Sequence, residues 1–149
     1  MKRFFLLSAL SLLILSIPAL AQRSIEQNLE GDPILEADAR HNLDVAWQAF
    51  KPKRAYKQVL LRFEETYAAH PEFSRMEEFY YLAGMSSYYL SRNEGRQKVD
   101  LTKERELERY EPAKLREEAK AYLATLLEKF PETKYRPEVE RTIKELDSK

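Results

Sequence analysis

The amino-acid sequence predicts an all-α chain of about five antiparallel helices that stack as a helical repeat (α-solenoid). Three observations predict it. Large apolar residues recur at spacings of three and four along five segments. Proline or glycine stands at the ends of these segments. One short pattern, which begins at Pro71, returns 60 residues later at Pro131.

The composition of the chain excludes several classes of protein and several kinds of site. The chain has 149 residues, of which 25 are basic and 25 acidic, and it contains no Cys. The balanced charge lacks the positive excess that nucleic-acid binding requires. Without Cys the chain has no disulfides, no thiolate catalysis and no thiolate zinc site. We therefore expect one modest domain with no nucleic-acid partner, no cofactor and no metal.

The first 21 residues have the order of an export signal. Lys2 and Arg3 precede a largely apolar run at 4–17, and small residues follow at Ala19 and Ala21. The competing interpretation is an uncleaved anchor, but the run is shorter than the roughly 20 residues that a spanning helix needs. We predict cleavage before Gln22, which leaves a formal charge of −2 from 23 basic and 25 acidic residues. The protein is then periplasmic or secreted, without membrane insertion and, lacking Cys, without a lipid anchor.

Residues 22–32 are polar and predict a flexible leader, and residues 33–149 predict the helical domain. Asp32 suits the N-cap of the first helix and Pro33 its first position. A second helix begins near Pro52 and ends before Pro71. The inner positions of the first helix are Leu35, Ala39, Leu43, Ala46, Trp47 and Phe50. Those of the second are Tyr56, Val59, Leu60, Phe63 and Tyr67.

Ser74 and Glu77 have the spacing of a capping box at the start of a third helix, which Asn93 and Gly95 end. Residues 93–111 are crowded with charge of both signs and predict an insertion that is partly helical. Pro112 opens a fourth helix that Pro131 ends. A fifth follows, with an apolar stripe of Val139, Ile143 and Leu146.

The segment 71–79 aligns with 131–139, and each copy follows a helix rich in large apolar residues. Without the insertion, the 60-residue spacing approaches the 34 residues of a tetratricopeptide repeat, which is a pair of antiparallel helices. Gly84 then falls where two helices cross closely.

A longer pattern joins a Tyr-rich helix at 79–89, the insertion, and a helix from Glu118 that ends in the segment 126–135, Leu-Leu-Glu-Lys-Phe-Pro-Glu-Thr-Lys-Tyr. This order resembles the tetratricopeptide-containing outer-membrane assembly lipoproteins of the BamD or YfiO-like type, over residues 43–146. The chain departs from that family in lacking the lipobox Cys and in having about two and a half repeats. The resemblance implies a non-enzymatic periplasmic scaffold that binds an envelope protein or an extended peptide, with the outer-membrane assembly machine as partner.

Two candidate protein-binding surfaces follow. Tyr80, Tyr81, Ser87 and Tyr88 of the third helix either pack in the core or line a partly exposed groove. Arg105 and Arg109 of the insertion belong either to a solvated face with pairs at spacing i,i+4 or to an arm that docks a partner.

Catalysis is not expected. His41 and His70 have no evident third ligand partner, and neighbouring glutamates diverge by about 100° around a helix, so they do not converge on one bond. Two alternatives to the assembly scaffold remain open. One is a repeat adaptor of another envelope complex serving cell division, transport or peptidoglycan, and the other is a small exported enzyme or ligand carrier.

Overall fold

The computed structural model describes residues 32–148, which form helices and connecting turns. The expected export signal and all of the expected leader except Asp32 lie outside the described residues. The described part contains five long helices, a shorter sixth and no strand. In chain order they are α1 (Pro33–Phe50), α2 (Tyr56–Ala69), α3 (Met76–Ser91), α4 (Glu104–Tyr110), α5 (Pro112–Lys129) and α6 (Arg136–Asp147).

The start of α1 is as predicted. The Asp32 carboxylate accepts the Ile34 N–H at 2.8 Å, and Pro33 occupies the first turn. The start of α2 was predicted wrongly, because residues 51–55 form a turn instead of helix. Arg54 takes a left-handed φ of 49° there, and the Ala55 N–H donates to the Ala49 carbonyl, which ends α1 and delays α2 to Tyr56.

The capping box at Ser74 was also predicted wrongly. The helix begins at Met76 with no side-chain cap, and the Ser74 hydroxyl donates instead to the carboxylate of Glu36 in α1. The His70 ring, which is buried at the end of α2, places Nε2 3.2 Å from the same carboxylate. Glu36 therefore fastens the start of α1 to the turn between α2 and α3.

The repeated segment forms the same turn twice. At 70–78 and again at 130–138 the backbone makes four N–H to C=O bonds at matching positions, beginning with His70 to Thr66 and with Phe130 to Leu126. Both C-cap residues have extended φ and a ψ near 70°, namely 74° at His70 and 70° at Phe130. The repeat predicted from the sequence is therefore confirmed as a structural unit.

Helix α3 lies at the centre. Its neighbouring helices include both antiparallel and parallel ones. Phe63 of α2 and Phe130 of α5 approach its start, so these helices are antiparallel to it. In contrast, α6 runs parallel, since Tyr81 pairs with Glu138 and Tyr88 with Glu145. The described structure is thus an all-α, tetratricopeptide-like stack, as predicted.

Gly84 lies at the crossing of α3 and α5. A Cβ atom at this position would stand 2.5 Å from Cδ2 and 2.6 Å from Cγ of Leu123, whose side chain is fully buried. Because protein cores are close-packed, the buried Leu123 side chain would have to displace other core atoms to make room for this Cβ atom. The close helix crossing that was predicted at Gly84 is therefore confirmed.

We predict that Gly84→Ala destabilises the fold although alanine favours helix. Overpacking costs about 1–3 kcal/mol, against about 1 kcal/mol gained in helix propensity. Urea denaturation measures the free energy of unfolding. The matched variant Gly84→Ala with Leu123→Ala should cost less than the sum of the two single changes, and strict additivity would contradict the crossing.

We predict that Glu36→Gln lowers the free energy of unfolding near neutral pH by about 1–2 kcal/mol, as expected for lost hydrogen bonds to a charged group. Hydrogen bonds from Ser74, and then from His70 and Arg40, lower the pKa of Glu36 to about 2. A lowered folded-state pKa gives stability that is present above the unfolded pKa and lost as pH falls towards 2. Thermal melts of both proteins should therefore converge between pH 4.5 and 2, and a gap that stays constant down to pH 2 would rule out this role.

Candidate functional site

Aromatic side chains from three helices meet along one side of the stack. Trp47 of α1, Tyr81 of α3 and Tyr135 at the start of α6 form its centre. The Tyr81 and Tyr135 rings stack at 4.0 Å between centroids with an interplanar angle of 12°, and Trp47 lies 6.1 Å from Tyr81 and 6.5 Å from Tyr135. Trp47 and Tyr135 are half-buried, whereas Tyr81 is buried beneath them. The rings of Trp47 and Tyr135 are therefore accessible from outside.

The aromatic layer continues towards the other end of α1 and α3. Phe50 lies 6.1 Å from both Trp47 and Tyr81, and 6.2 Å from Tyr89. Tyr89 stacks on Tyr56 at 5.0 Å. Phe50 and Tyr89 are half-buried. We call the half-buried members of this layer the aromatic face: Trp47, Phe50, Tyr89 and Tyr135.

Carboxylates fix the polar atoms of this layer. The Trp47 Nε1–H donates to Glu78 at 2.7 Å, and the Tyr81 hydroxyl donates to Glu138 at 2.8 Å. Burial and the Glu138 carboxylate raise the pKa of Tyr81 far above its ordinary value. The Tyr81 hydroxyl consequently remains the donor of this bond between α3 and α6 across the physiological pH range.

Two lysines lie over the accessible rings. The Lys51 Nζ is 4.9 Å from the centroid of Trp47, and the Lys134 Nζ is 5.0 Å from that of Tyr135. Both lysines are exposed. A cation held over an exposed ring contributes only about 0.5–1 kcal/mol. An incoming side chain can therefore displace either lysine at little cost.

The structure does not bring the four predicted residues of α3 together in one exposed groove. Tyr80, Tyr81, Ser87 and Tyr88 are at most 8% exposed, so they pack in the core, which was the other alternative. Tyr88 donates to Glu145 and accepts from Arg92. Whether any of the four affects partner binding stays a prediction.

Sequence reasoning missed the half-buried members of the aromatic face as site residues. Trp47 and Phe50 were assigned to the inner stripe of α1, and Tyr135 was placed only as the last residue of the segment 126–135. A Trp in a helix with a polar outer surface was the available signal, because Trp is enriched where binding is concentrated. Tyr67 is the opposite error, since it was placed on the inner stripe of α2 and is 45% exposed.

The charged insertion packs against α2. Lys57 of α2 pairs with Glu106 of α4 at 2.5 Å and donates to the Lys98 carbonyl at 2.8 Å. Arg109 pairs with Glu64 of α2. These ion pairs cross between helices, whereas the solvated-face alternative expected pairs at spacing i,i+4 within the insertion.

The two predicted arginines of the insertion share one cleft. Arg105 and Arg109 line a space of about 530 Å³ between α2, α4 and α5. Arg105 is exposed, and Arg109 is held by its ion pair with Glu64. The structure therefore brings these two residues together, in a cleft that none of the four predicted residues of α3 lines.

Metal chemistry finds no support in the described part of the chain. Among residues 32–148 no group of three or more His, Asp and Glu side chains comes together as a metal site. His41 is exposed, and the His70 ring faces Glu36. No helix of this part has the length and apolar content to cross a membrane.

The repeated turn, the central buried helix and the paired helices around it define a tetratricopeptide-like helical-repeat protein. Residues 20–149 match the family model YfiO, which is described as an outer membrane lipoprotein. The match spans most of the chain, so the protein belongs to this family, as the sequence pattern indicated. No curated protein and no solved structure matches the chain.

We predict that Lys57→Gln loosens the insertion without unfolding the stack. Lys57 is mostly buried in its pair with Glu106, and an ion pair of this kind contributes up to about 1 kcal/mol. Hydrogen exchange should accelerate by about fivefold at 98–107, while exchange in α3 stays unchanged. Lys53→Gln, at an exposed position of the preceding turn, is the control, and equal exchange in both variants would show that the insertion is held otherwise.

Proposed function

We propose that the chain is an exported, non-enzymatic scaffold that binds an envelope protein in outer-membrane protein assembly. The observation that carries the proposal is the aromatic face, on which Trp47 and Tyr135 present accessible rings from two different helices. The family supports an outer-membrane role. Export, and attachment through a partner instead of a lipid, are parts of the same proposal.

Side chains of this kind suit a peptide ligand. Trp and Tyr supply large contact areas and dominate binding energy at interfaces. Stacked helical repeats bind partners on extended surfaces formed by several repeats. Because the aromatic face takes residues from α1, α3 and the start of α6, a bound segment would contact both copies of the repeat.

Preorganisation supports the same interpretation. The Trp47 indole is held by Glu78, and the Tyr81 ring beneath it is held by Glu138. Rings that are already fixed lose little side-chain entropy when a partner binds. The buried Tyr81 and Tyr88 thus act as positioning residues for this face.

The charges around the face favour a segment of mixed charge. Lys51 and Lys134 lie over the accessible rings, and they offer partners to acidic side chains once displaced from these rings. Glu138 and Glu145 stand on α6 beside the buried tyrosines. The face therefore selects by shape and aromatic contact more than by net charge.

We predict that the tagged chain, crosslinked in cells and captured from detergent-solubilised envelopes, recovers the barrel component of the outer-membrane assembly machine. Trp47→Ala should lower recovery by at least about tenfold, as expected for an interface anchor. Lys51→Glu with Lys134→Glu tests the same face without removing a packed ring, and Leu61→Ala on the exposed side of α2 is the control.

Thermal melts of all variants exclude unfolding as the cause of any loss. Recovery of a different envelope complex, with the same dependence on Trp47, would identify the chain as an adaptor of that complex. Recovery that is equal for all variants would reject the aromatic face.

A further inference from the structure

Helix α3 carries only two charged residues, and both stand in its first turn. They are Glu77 and Glu78, and both are half-buried. A carboxylate in the first turn stabilises a helix through the macrodipole in any orientation of its side chain. Here, however, each carboxylate is directed to an element that bears an accessible ring of the aromatic face.

Glu78 reaches Trp47 of α1. Its Oε2 accepts the indole Nε1–H at 2.7 Å, and its Oε1 accepts the Arg75 Nε–H, also at 2.7 Å. Both oxygens of the carboxylate are therefore engaged. The indole N–H is the only hydrogen-bonding group of a Trp side chain. This bond consequently fixes the orientation of the indole, which lies beside Tyr81 and beneath Lys51.

Glu77 reaches the second copy of the repeated turn. Its Oε1 accepts the Thr133 hydroxyl at 2.6 Å, and the oxygen of the same hydroxyl accepts the Tyr135 N–H at 3.3 Å. Thr133 is buried, and Tyr135 follows it by two residues. Glu77 therefore holds the backbone from which the Tyr135 ring extends.

The repeat supports a positioning role at the start of α3. Glu78 has the same position in the segment 71–79 as Glu138 has in the aligned segment 131–139. Each of the two accepts a hydrogen bond from an aromatic side chain of an earlier helix, Trp47 for Glu78 and Tyr81 for Glu138. The same acceptor position thus holds an aromatic residue in both copies.

From these contacts we infer that Glu77 and Glu78 are positioning residues of the aromatic face, which set the orientations of Tyr135 and Trp47 from the first turn of α3. The centroids of the two rings lie 6.5 Å apart. Each carboxylate acts through its hydrogen-bond partner, so neither has to touch a bound segment. The inference rests on the proposed function and deepens it, because affinity for a partner then depends on two residues that are not members of the face.

The first test needs no partner, because Trp47 is the only Trp of the chain. Its indole N–H gives a single peak in a heteronuclear NMR spectrum of nitrogen-labelled protein. Glu78→Ala should move this peak and accelerate its hydrogen exchange by at least about tenfold, the factor expected from a hydrogen bond to a charged group. Exchange of the Gly84 amide should stay unchanged, which excludes opening of the stack as the cause.

Conservative variants separate the positioning role from the helix dipole. Glu78→Gln keeps an acceptor oxygen and loses the charge, so it should leave the indole peak near its original position. A role in the dipole alone requires the charge, and it predicts that Glu78→Gln behaves like Glu78→Ala. For Glu77 the readout is the amide peak of Tyr135, which Glu77→Ala should move and Glu77→Gln should not.

Glu65→Ala is the matched control. Glu65 pairs with Arg62 at the same spacing of three residues that joins Arg75 and Glu78, and it lies exposed on α2. This change should move neither peak. The inference is overturned if Glu78→Ala leaves the indole exchange unchanged, if the Gln and Ala variants behave alike, or if Glu77→Ala leaves the Tyr135 amide peak in place.

The second test is recovery in the envelope capture. Glu78→Ala should lower recovery about threefold, as expected when one side chain has to be ordered on binding, and it should lower nothing further in a Trp47→Ala background. If Trp47→Ala lowers recovery and Glu78→Ala does not, the positioning role in binding is overturned. If Trp47→Ala itself changes nothing, the aromatic face is rejected, which the NMR results cannot show, so the two failures are distinguishable.

Discussion

Burial of α3 on every side is the constraint on which the rest of the structure depends. Twelve of its 16 residues are buried, including the unbroken run from Phe79 to Tyr88. A helix in a small protein normally keeps a polar face in water. Here α1, α2, α5 and α6 all contact α3, so no side of α3 is left to face solvent. Each neighbouring helix therefore has to match the shape of the α3 surface that it covers. Gly84 is the clearest consequence, because the buried Leu123 side chain of α5 occupies the space that a Cβ atom at this position would need.

A helix buried on all sides still carries polar atoms, and their partners set the positions of its neighbours. Tyr81 and Tyr88 reach Glu138 and Glu145 of α6, and Met85 contacts Thr142 between them. All three contacts join residues 57 positions apart, so they fix one register between the parallel helices. The loss of a buried hydrogen-bond partner is costly, and a shift of α6 by one residue would break both tyrosine bonds at once. The repeated turn that leads into α6 supplies the matching geometry.

Sequence periodicity predicted most of the helices, because a helix with one apolar face and strong end signals is defined by local residues. It predicted less well where the decisive partner was distant. Ser74 has a local capping pattern, yet Glu36 offers it a charged acceptor, and that bond replaced the cap. The solvated-face alternative for the insertion considered only ion pairs between residues of the insertion. In the structure, Lys57 and Glu64 of α2 are the partners of these ion pairs.

The tyrosines of α3 were ambiguous for a related reason. The spacing of residues along a helix shows which of them share a face. It does not show how many faces of that helix are covered by other helices. The absence of any charge from 79 to 91 was the signal that no face of α3 meets water. The half-buried rings of Trp47 and Tyr135 gave no such signal, because their exposure depends on the position of α6 relative to α1.

The aromatic face takes its support from one side of α3. The buried Tyr81 stacks on Tyr135 there, whereas Tyr80, about 100° away around the helix, lies beside Phe63 of α2 and Phe130 of α5. Because α3 is packed on four sides, with Gly84 against Leu123 and both Tyr81 and Tyr88 bonded to α6, it restrains Tyr81 from every side. The structure thus favours α3 as a rigid support for the aromatic face.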